Sequence, residues 1–243
     1  MHGLLLVLPL FILIVVASSL VAVVSGSGLM TKAPPWSISA PPNRQQGRTA
    51  KQQADWDRNR ILVANANRRR AAFDFVLYGD SITAFLGRDP ETWRKHFGPN
   101  TAVLGVGGDA IEHLAGRMLT TERLSVPPKA AAFRIGINNF LRNGQTVDQM
   151  AALMDQFLPL AKRLLPGTRL YLLALLRTTR NVDTASANTR LQALARKHGF
   201  GWLTCGTSLD PMDRRVFSDG LHPTAAGHDM ILTCMKASIH RGS

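Results

Sequence analysis

The chain has 243 residues, with 29 Lys and Arg against 16 Asp and Glu, a formal net charge of +13. Such an excess suits a nucleic-acid groove only when it lies on the folded body. Here nine of the basic residues fall between 29 and 70, against Asp55 and Asp57 alone, and the aromatics, 7% of the sequence, are not interleaved with them. No nucleic-acid partner is therefore expected, and no repeat of 20–50 residues is visible.

The N-terminus carries Gly3 to Val24, uncharged throughout. At helical rise its 22 residues reach roughly 33 Å, enough to cross a bilayer core. The stretch is longer than a secretory core segment, and no Lys or Arg precedes it, so an uncleaved anchor over residues 1–28 is favoured above a cleaved signal. The basic flank argues for a cytoplasmic C-terminal side. The weak balance nevertheless falls on a domain outside the cytoplasm, membrane-anchored or secreted. Residues 29–70 read as a connector. Two Pro-Pro pairs stiffen its first half. The second is polar and basic, compatible with a surface helix whose thin apolar stripe (Trp56, Ile61, Leu62) could dock on the domain, and a solvated face is favoured over contact with headgroups or a polyanion.

From Ala71 to the end at 243, short β-rich runs alternate with helical ones. Strands are expected at 73–79, 100–106, 129–136, 169–176 and 199–206, with helices from about Ser81 and over 109–119, 146–165, 183–199 and 224–240. Strands joined by crossover helices imply a parallel sheet of about five strands covered on both faces. Ligands then bind beyond the C-terminal strand ends. Arg134 stands out inside the third strand, where its charge needs an edge, an acid or a substrate to answer it. Cys205 and Cys234 sit in no metal or redox spacing, and fit a disulfide or two buried thiols equally.

The polar residues gather at the strand ends: Gly79-Asp80-Ser81, Gly107-Gly108-Asp109, Gly136-Ile137-Asn138-Asn139, and Asp219-Gly220-Leu221-His222 before the last helix. Acyl transfer needs a nucleophile, a base, a group orienting that base and donors for an oxyanion. Ser81 is the candidate nucleophile and His222 the candidate base, imidazole being the side chain that ordinarily titrates near neutrality. Asp219, three residues earlier, is placed to orient it. Backbone N–H groups of Ser81 and Gly108 and the Asn138 amide are the candidate oxyanion donors. Asp80 reads as a structural carboxylate in the turn, Asp109 as the cap of the next helix, and His113 and His228 as packing or surface histidines. No histidine pair has metal-ligand spacing, so neither metal nor cofactor is expected.

Together these blocks resemble the SGNH, or GDSL-type, hydrolase family from about Phe73 to Ile239. "VLGVGGDAIEHLAGRM" and "IGINN" are similar to its platelet-activating factor acetylhydrolase branch. The resemblance implies a flavodoxin-like three-layer α/β/α sandwich and metal-free serine chemistry on an acyl ester, with Ser81, Gly108, Asn138 and His222 as the signature residues. It selects Asn138 over Asn139. The substrate expected is a small-molecule or glycan ester with a short acyl group, since no insertion supplies a lid. A membrane-tethered polysaccharide O-acetyltransferase and a non-catalytic glycan- or lipid-binding domain remain as alternatives, and nothing in the residues sets the oligomeric state.

Overall fold

The computed structural model describes Ile38 and residues 48–240; the hydrophobic segment Gly3–Val24 lies outside them. Five short strands form one parallel sheet: β1 (Phe75–Gly79), β2 (Thr101–Gly105), β3 (Ala130–Arg134), β4 (Arg169–Leu173) and β5 (Gly201–Leu203), in the order β2-β1-β3-β4-β5. This is the doubly wound order of flavodoxin-type sheets, whose chain reversal falls between β1 and β3. The helices are α1 (Ala50–Arg69), α2 (Ser81–Arg88), α3 (Pro90–Phe97), α4 (Ile111–Leu119), α5 (Ile137–Leu141), α6 (Val147–Leu164), α7 (Thr184–His198) and α8 (Ala225–His240).

Alternation along the strands feeds two cores. Val76, Tyr78, Ala131 and Phe133 pack with α1, α4, α6 and α7. Phe75, Leu77, Ala132 and Leu173 pack with α2, α3 and α8. Because residues on a strand point alternately to opposite faces, both faces need an apolar cover, and the strands are apolar nearly throughout. The register sets Gly79 beside Gly105 and Arg134, so β1, β2 and β3 run out side by side at one edge.

The sequence leads to the same alternation, with three differences. The helix expected from Ser81 breaks at Asp89-Pro90: proline occupies the first turn of α3, where no N–H is needed, and Asp89 caps it by accepting from Thr92 N at 3.2 Å. The five-residue α5 was not anticipated. The third concerns residues 50–69, expected as a largely solvated stretch; they form a twenty-residue helix that buries Asp55, Trp56, Asn59, Val63 and Ala66. That face is a true helical stripe, but two of its five members are polar, which is why an apolar pattern underestimates it. The described residues all fall within one compact unit.

Cys205 and Cys234 are joined in a disulfide, with Cα atoms 5.5 Å apart, which ties the end of β5 to α8. Among the described residues no helix is long and apolar enough to cross a membrane.

Candidate active site

Ser81 opens α2 directly after β1, in the first helical turn, where backbone N–H groups lack intrahelical acceptors. Its Oγ lies 2.9 Å from His222 Nε2. The other ring nitrogen, Nδ1, lies 2.8 Å from Asp219 Oδ2. Asp219 Oδ1 accepts from the backbone N–H of His222 at 2.8 Å and of Leu221 at 3.0 Å, so one carboxylate shapes the turn and also fixes the ring. Burial works against the Asp219 charge, yet these N–H groups and the imidazole hold its carboxyl below the usual range. With Nδ1–H donating to a carboxylate, Nε2 is left as the acceptor facing Ser81.

The 219–222 turn is itself held. Gly220 has φ 75°, and a Cβ there would meet Thr179 Oγ1 at 2.2 Å, so only glycine fits. Its carbonyl accepts from Thr178 Oγ1 at 2.8 Å and from Thr179 N at 3.0 Å. A bridge between Phe217 and Pro223 closes the loop, and Phe85 packs 5.1 Å from the His222 ring.

Gly108 and Asn138 line the same crevice as Ser81 and His222. Gly108 has φ 74°, and a Cβ there would lie 2.8 Å from both the Arg142 guanidinium carbon and Gln52 Nε2. Asn138 Nδ2 donates to the Asp109 carbonyl at 2.9 Å. That bond uses one of the two amide hydrogens and leaves the other for the crevice. Asn139 is fully buried and does something else: its Oδ1 accepts from Ile111 N at 3.1 Å, while its Nδ2 donates to Glu112 and Gln145.

Two buried polar groups brace these loops, and sequence reasoning did not anticipate either. Asp55 of α1 accepts from Gly107 N at 3.3 Å, from Arg88 Nε at 2.9 Å and from Arg58 Nη1 at 3.0 Å, joining α1, α2 and the Gly107-Gly108 loop. Arg117 of α4 donates to Asp109 Oδ2 at 2.7 Å, to Glu122, and to the Gly79 carbonyl at 3.1 Å. Burial opposes its charge, but the Glu122 and Asp109 carboxylates outweigh that and push its pKa up. Asp109 therefore does not cap α4. Ala110 stands at that position, and the buried His113 Nδ1 accepts from Ala110 N at 3.0 Å. No local spacing marks the pair, because Asp109 lies ahead of the start of α4.

Below Ser81 lies a second polar layer. Asp80 caps α2 through Oδ1, which accepts from Ile82 N at 3.0 Å. Its Oδ2 has no hydrogen-bond partner among the described residues, and burial pushes the carboxyl up to about 7, with the Ile82 N–H and the Arg134 charge acting in the opposite sense. Arg134, buried, donates to the Cys205 carbonyl at 2.8 Å; burial draws it down to about 10 while Asp80 opposes the change. The odd charge in β3 is thus answered by a carbonyl and, where Asp80 is ionised, by the field of its carboxylate. His228 is buried beside this pair, and burial together with the Arg134 charge lowers it to about 4.

The crevice encloses about 540 Å³ and is walled by α1, α2, α5 and the loops after β2 and β4. Among the described residues no group of three His, Cys, Asp or Glu side chains is placed to hold a metal ion. A parallel sandwich with hydroxyl, imidazole and carboxylate in series at its chain reversal has the architecture of a hydrolase acting on esters. The chain belongs to the GDSL-like lipase/acylhydrolase family, which matches residues 77–230. Over 159 residues it is 28% identical to platelet-activating factor acetylhydrolase IB subunit alpha1 of Rattus norvegicus, so it spans 65% of that relative's length and the alignment covers 65% of this chain. A GDSL-like lipase from Bacteroides thetaiotaomicron shares the fold at a TM-score of 0.58 and 20% identity, covering 76% of this chain and 99% of that one. A psychrotrophic esterase from Pseudoalteromonas does so at 0.53 and 15%, covering 69% and 97%.

Proposed function

We propose that the protein hydrolyses short-chain acyl esters through an acyl-enzyme on Ser81. His222 Nε2 takes the Ser81 proton as Oγ adds to the ester carbonyl, and Asp219 stabilises the imidazolium that results. The N–H groups of Ser81 and Gly108 and the free hydrogen of Asn138 Nδ2 receive the oxyanion. Collapse expels the alcohol, which takes its proton from His222. Water, deprotonated by His222, then releases the carboxylic acid and restores Ser81. The observation that carries this reading is the continuous Ser81–His222–Asp219 contact, 2.9 Å and then 2.8 Å, opening into the crevice that Gly108 and Asn138 line. The shallow wall, with Leu141 and Arg180 exposed, supports a short acyl group.

The disulfide supports residence in an oxidising compartment, and the uncharged Gly3–Val24 stretch supports a membrane tether, so we assign the domain to the extracytoplasmic side.

A fluorophosphonate probe tests the nucleophile. The intact protein is expected to be labelled, and Ser81→Ala to lose both labelling and acetyl-ester hydrolysis. Labelling that survives in Ser81→Ala, or a folded wild type that neither labels nor cleaves acetate esters, sinks the proposal.

A further inference from the structure

The crevice carries charge that ester hydrolysis as such does not use. Lys51 in the first turn of α1, Arg142 just after α5 and Arg180 in the loop after β4 all line it, together with Arg88, and no Asp or Glu is among the described residues that do. The Arg88 charge is answered by Asp55. Lys51, Arg142 and Arg180 are exposed, and none has an ion-pair partner among the described residues.

Their placement ties them to the reacting centre. Arg142 follows Asn138 by four residues, one helical turn, and its guanidinium packs over Gly108 closely enough that a Cβ there would be 2.8 Å away. Lys51 Nζ and the Arg88 guanidinium lie 5.2 Å and 4.9 Å from the centre of the Phe85 ring, and that ring packs on His222. Three uncompensated cations from three separate elements therefore surround one small concave site. A cleft lined by a single sign of charge concentrates ligands of the opposite sign, and guanidinium groups pair with carboxylate or phosphate through two parallel hydrogen bonds.

We propose that the site selects esters whose alcohol part bears an anionic group, a carboxylate or a phosphate, held by Arg142, Arg180 and Lys51. This rests on the hydrolase reading above and adds the substrate class. The anion is assigned to the alcohol side because a short acyl group has no room to carry it. Arg142 is the central contact, because its guanidinium packs against Gly108.

The test compares phenyl acetate (neutral), 4-acetoxybenzoate, 4-acetoxyphenyl phosphate and 4-acetoxyphenyl-trimethylammonium, each kcat/KM divided by that ester's rate of alkaline hydrolysis. At least one anionic ester should exceed phenyl acetate by about tenfold or more, with the cationic ester below it. The two anionic arms report which anion the site takes. Raising salt from about 0.05 to about 0.5 M should shrink the anionic-to-neutral ratio, as should Arg142→Gln, Arg180→Gln and Lys51→Gln combined. A cationic wall that only stabilised the oxyanion would accelerate all the esters alike, so the ratio is the decisive readout. Ratios near or below one for both anionic esters, or a ratio that the triple variant leaves unmoved, overturn the proposal while phenyl acetate turnover keeps the hydrolase reading intact. If no ester is cleaved and Ser81 resists the fluorophosphonate, both fall together.

Discussion

Asn138 and Asn139 are chemically identical neighbours with separate tasks, which makes them a sharp test at the level of single residues. Asn138 is proposed to offer a hydrogen to developing charge, so Asn138→Ala is expected to lower kcat by roughly a hundredfold, about 3 kcal/mol, with KM little changed and with only the single bond to the Asp109 carbonyl, about 1 kcal/mol, missing from its stability. Asn139→Ala strips partners from Ile111 N and Glu112 at the start of α4 and from Gln145 in the loop between α5 and α6. It should cost about 1–3 kcal/mol in urea unfolding. If both variants lose rate alone, or stability alone, the division of tasks is wrong. Two buried titratable groups near Arg134, namely His228 and Asp80, make a prediction about pH. His228, lowered to about 4 in the fold, is neutral where the unfolded ring takes a proton, so its contribution is lost as pH falls from about 6.5 towards 4. Asp80, raised to about 7, works the other way: it stays protonated while the unfolded carboxyl ionises, and its contribution is lost as pH rises from about 4 towards 7. Each amounts to something on the order of 3 kcal/mol, and they oppose one another across the same interval. His228→Gln should therefore leave stability falling with rising pH, and Asp80→Asn should leave it rising. Urea midpoints at pH 4.5 and 7 that move in parallel in all three proteins would exclude this compensation.

Helix α1 is the element whose role the sequence hid. The strands were legible because parallel strands buried on both faces must be apolar runs, and Phe75–Gly79 and Arg169–Leu173 are such runs. The turn residues were legible because Gly79-Asp80-Ser81 and Asp219 to His222 interrupt that pattern with groups that make chemical sense together. Nothing local marks Asp55 or Asn59 as buried: apart from the near neighbour Arg58, their partners (Arg88, Gly107, Gly105 and Glu122) lie roughly 30 to 60 residues away. The alternation of strand and helix gave no sign of α5 either, because five residues are too few to show a period, although α5 carries Asn138. The α1 clamp is testable. Asp55→Ala removes the acceptor from the Gly107 N–H and the counter-charge from Arg88, and should cost about 2–3 kcal/mol in stability. The Gly107-Gly108 loop then loosens, and a roughly tenfold fall in kcat is expected, larger than its effect on KM. Asp55→Asn, which keeps an oxygen for Gly107, should recover part of the rate. Unchanged kcat in a measurably destabilised Asp55→Ala would reduce α1 to a packing element.

At the scale of the molecule, the site is assembled from loops far apart along the chain, and the cross-link lies across the last of them. Cys205 and Cys234 are 29 residues apart, and the segment between them carries both Asp219 and His222. Two cysteines without a recognisable spacing told nothing about pairing. Their proximity follows only once β5 at the sheet edge and α8 on one face are packed together. Closing a loop of that length removes unfolded-state entropy worth about 3–4 kcal/mol on the chain model. For a domain of this size that corresponds to a drop of roughly 10 °C in Tm on reduction. The folded geometry of the loop has supports of its own in the Phe217–Pro223 bridge and the Thr178 and Thr179 bonds to Gly220. Below the melting range, then, the reduced protein should retain most of its acetyl-ester turnover, with His222 still aligned on Ser81. Thermal unfolding followed by circular dichroism, with and without reductant and alongside a Cys205→Ala/Cys234→Ala double variant, separates the two effects. A Tm shift under about 2 °C would mean that the loop is already constrained when unfolded, whereas immediate loss of turnover at low temperature would make the cross-link, rather than the hydrogen bonds around Gly220, the device that aligns the base.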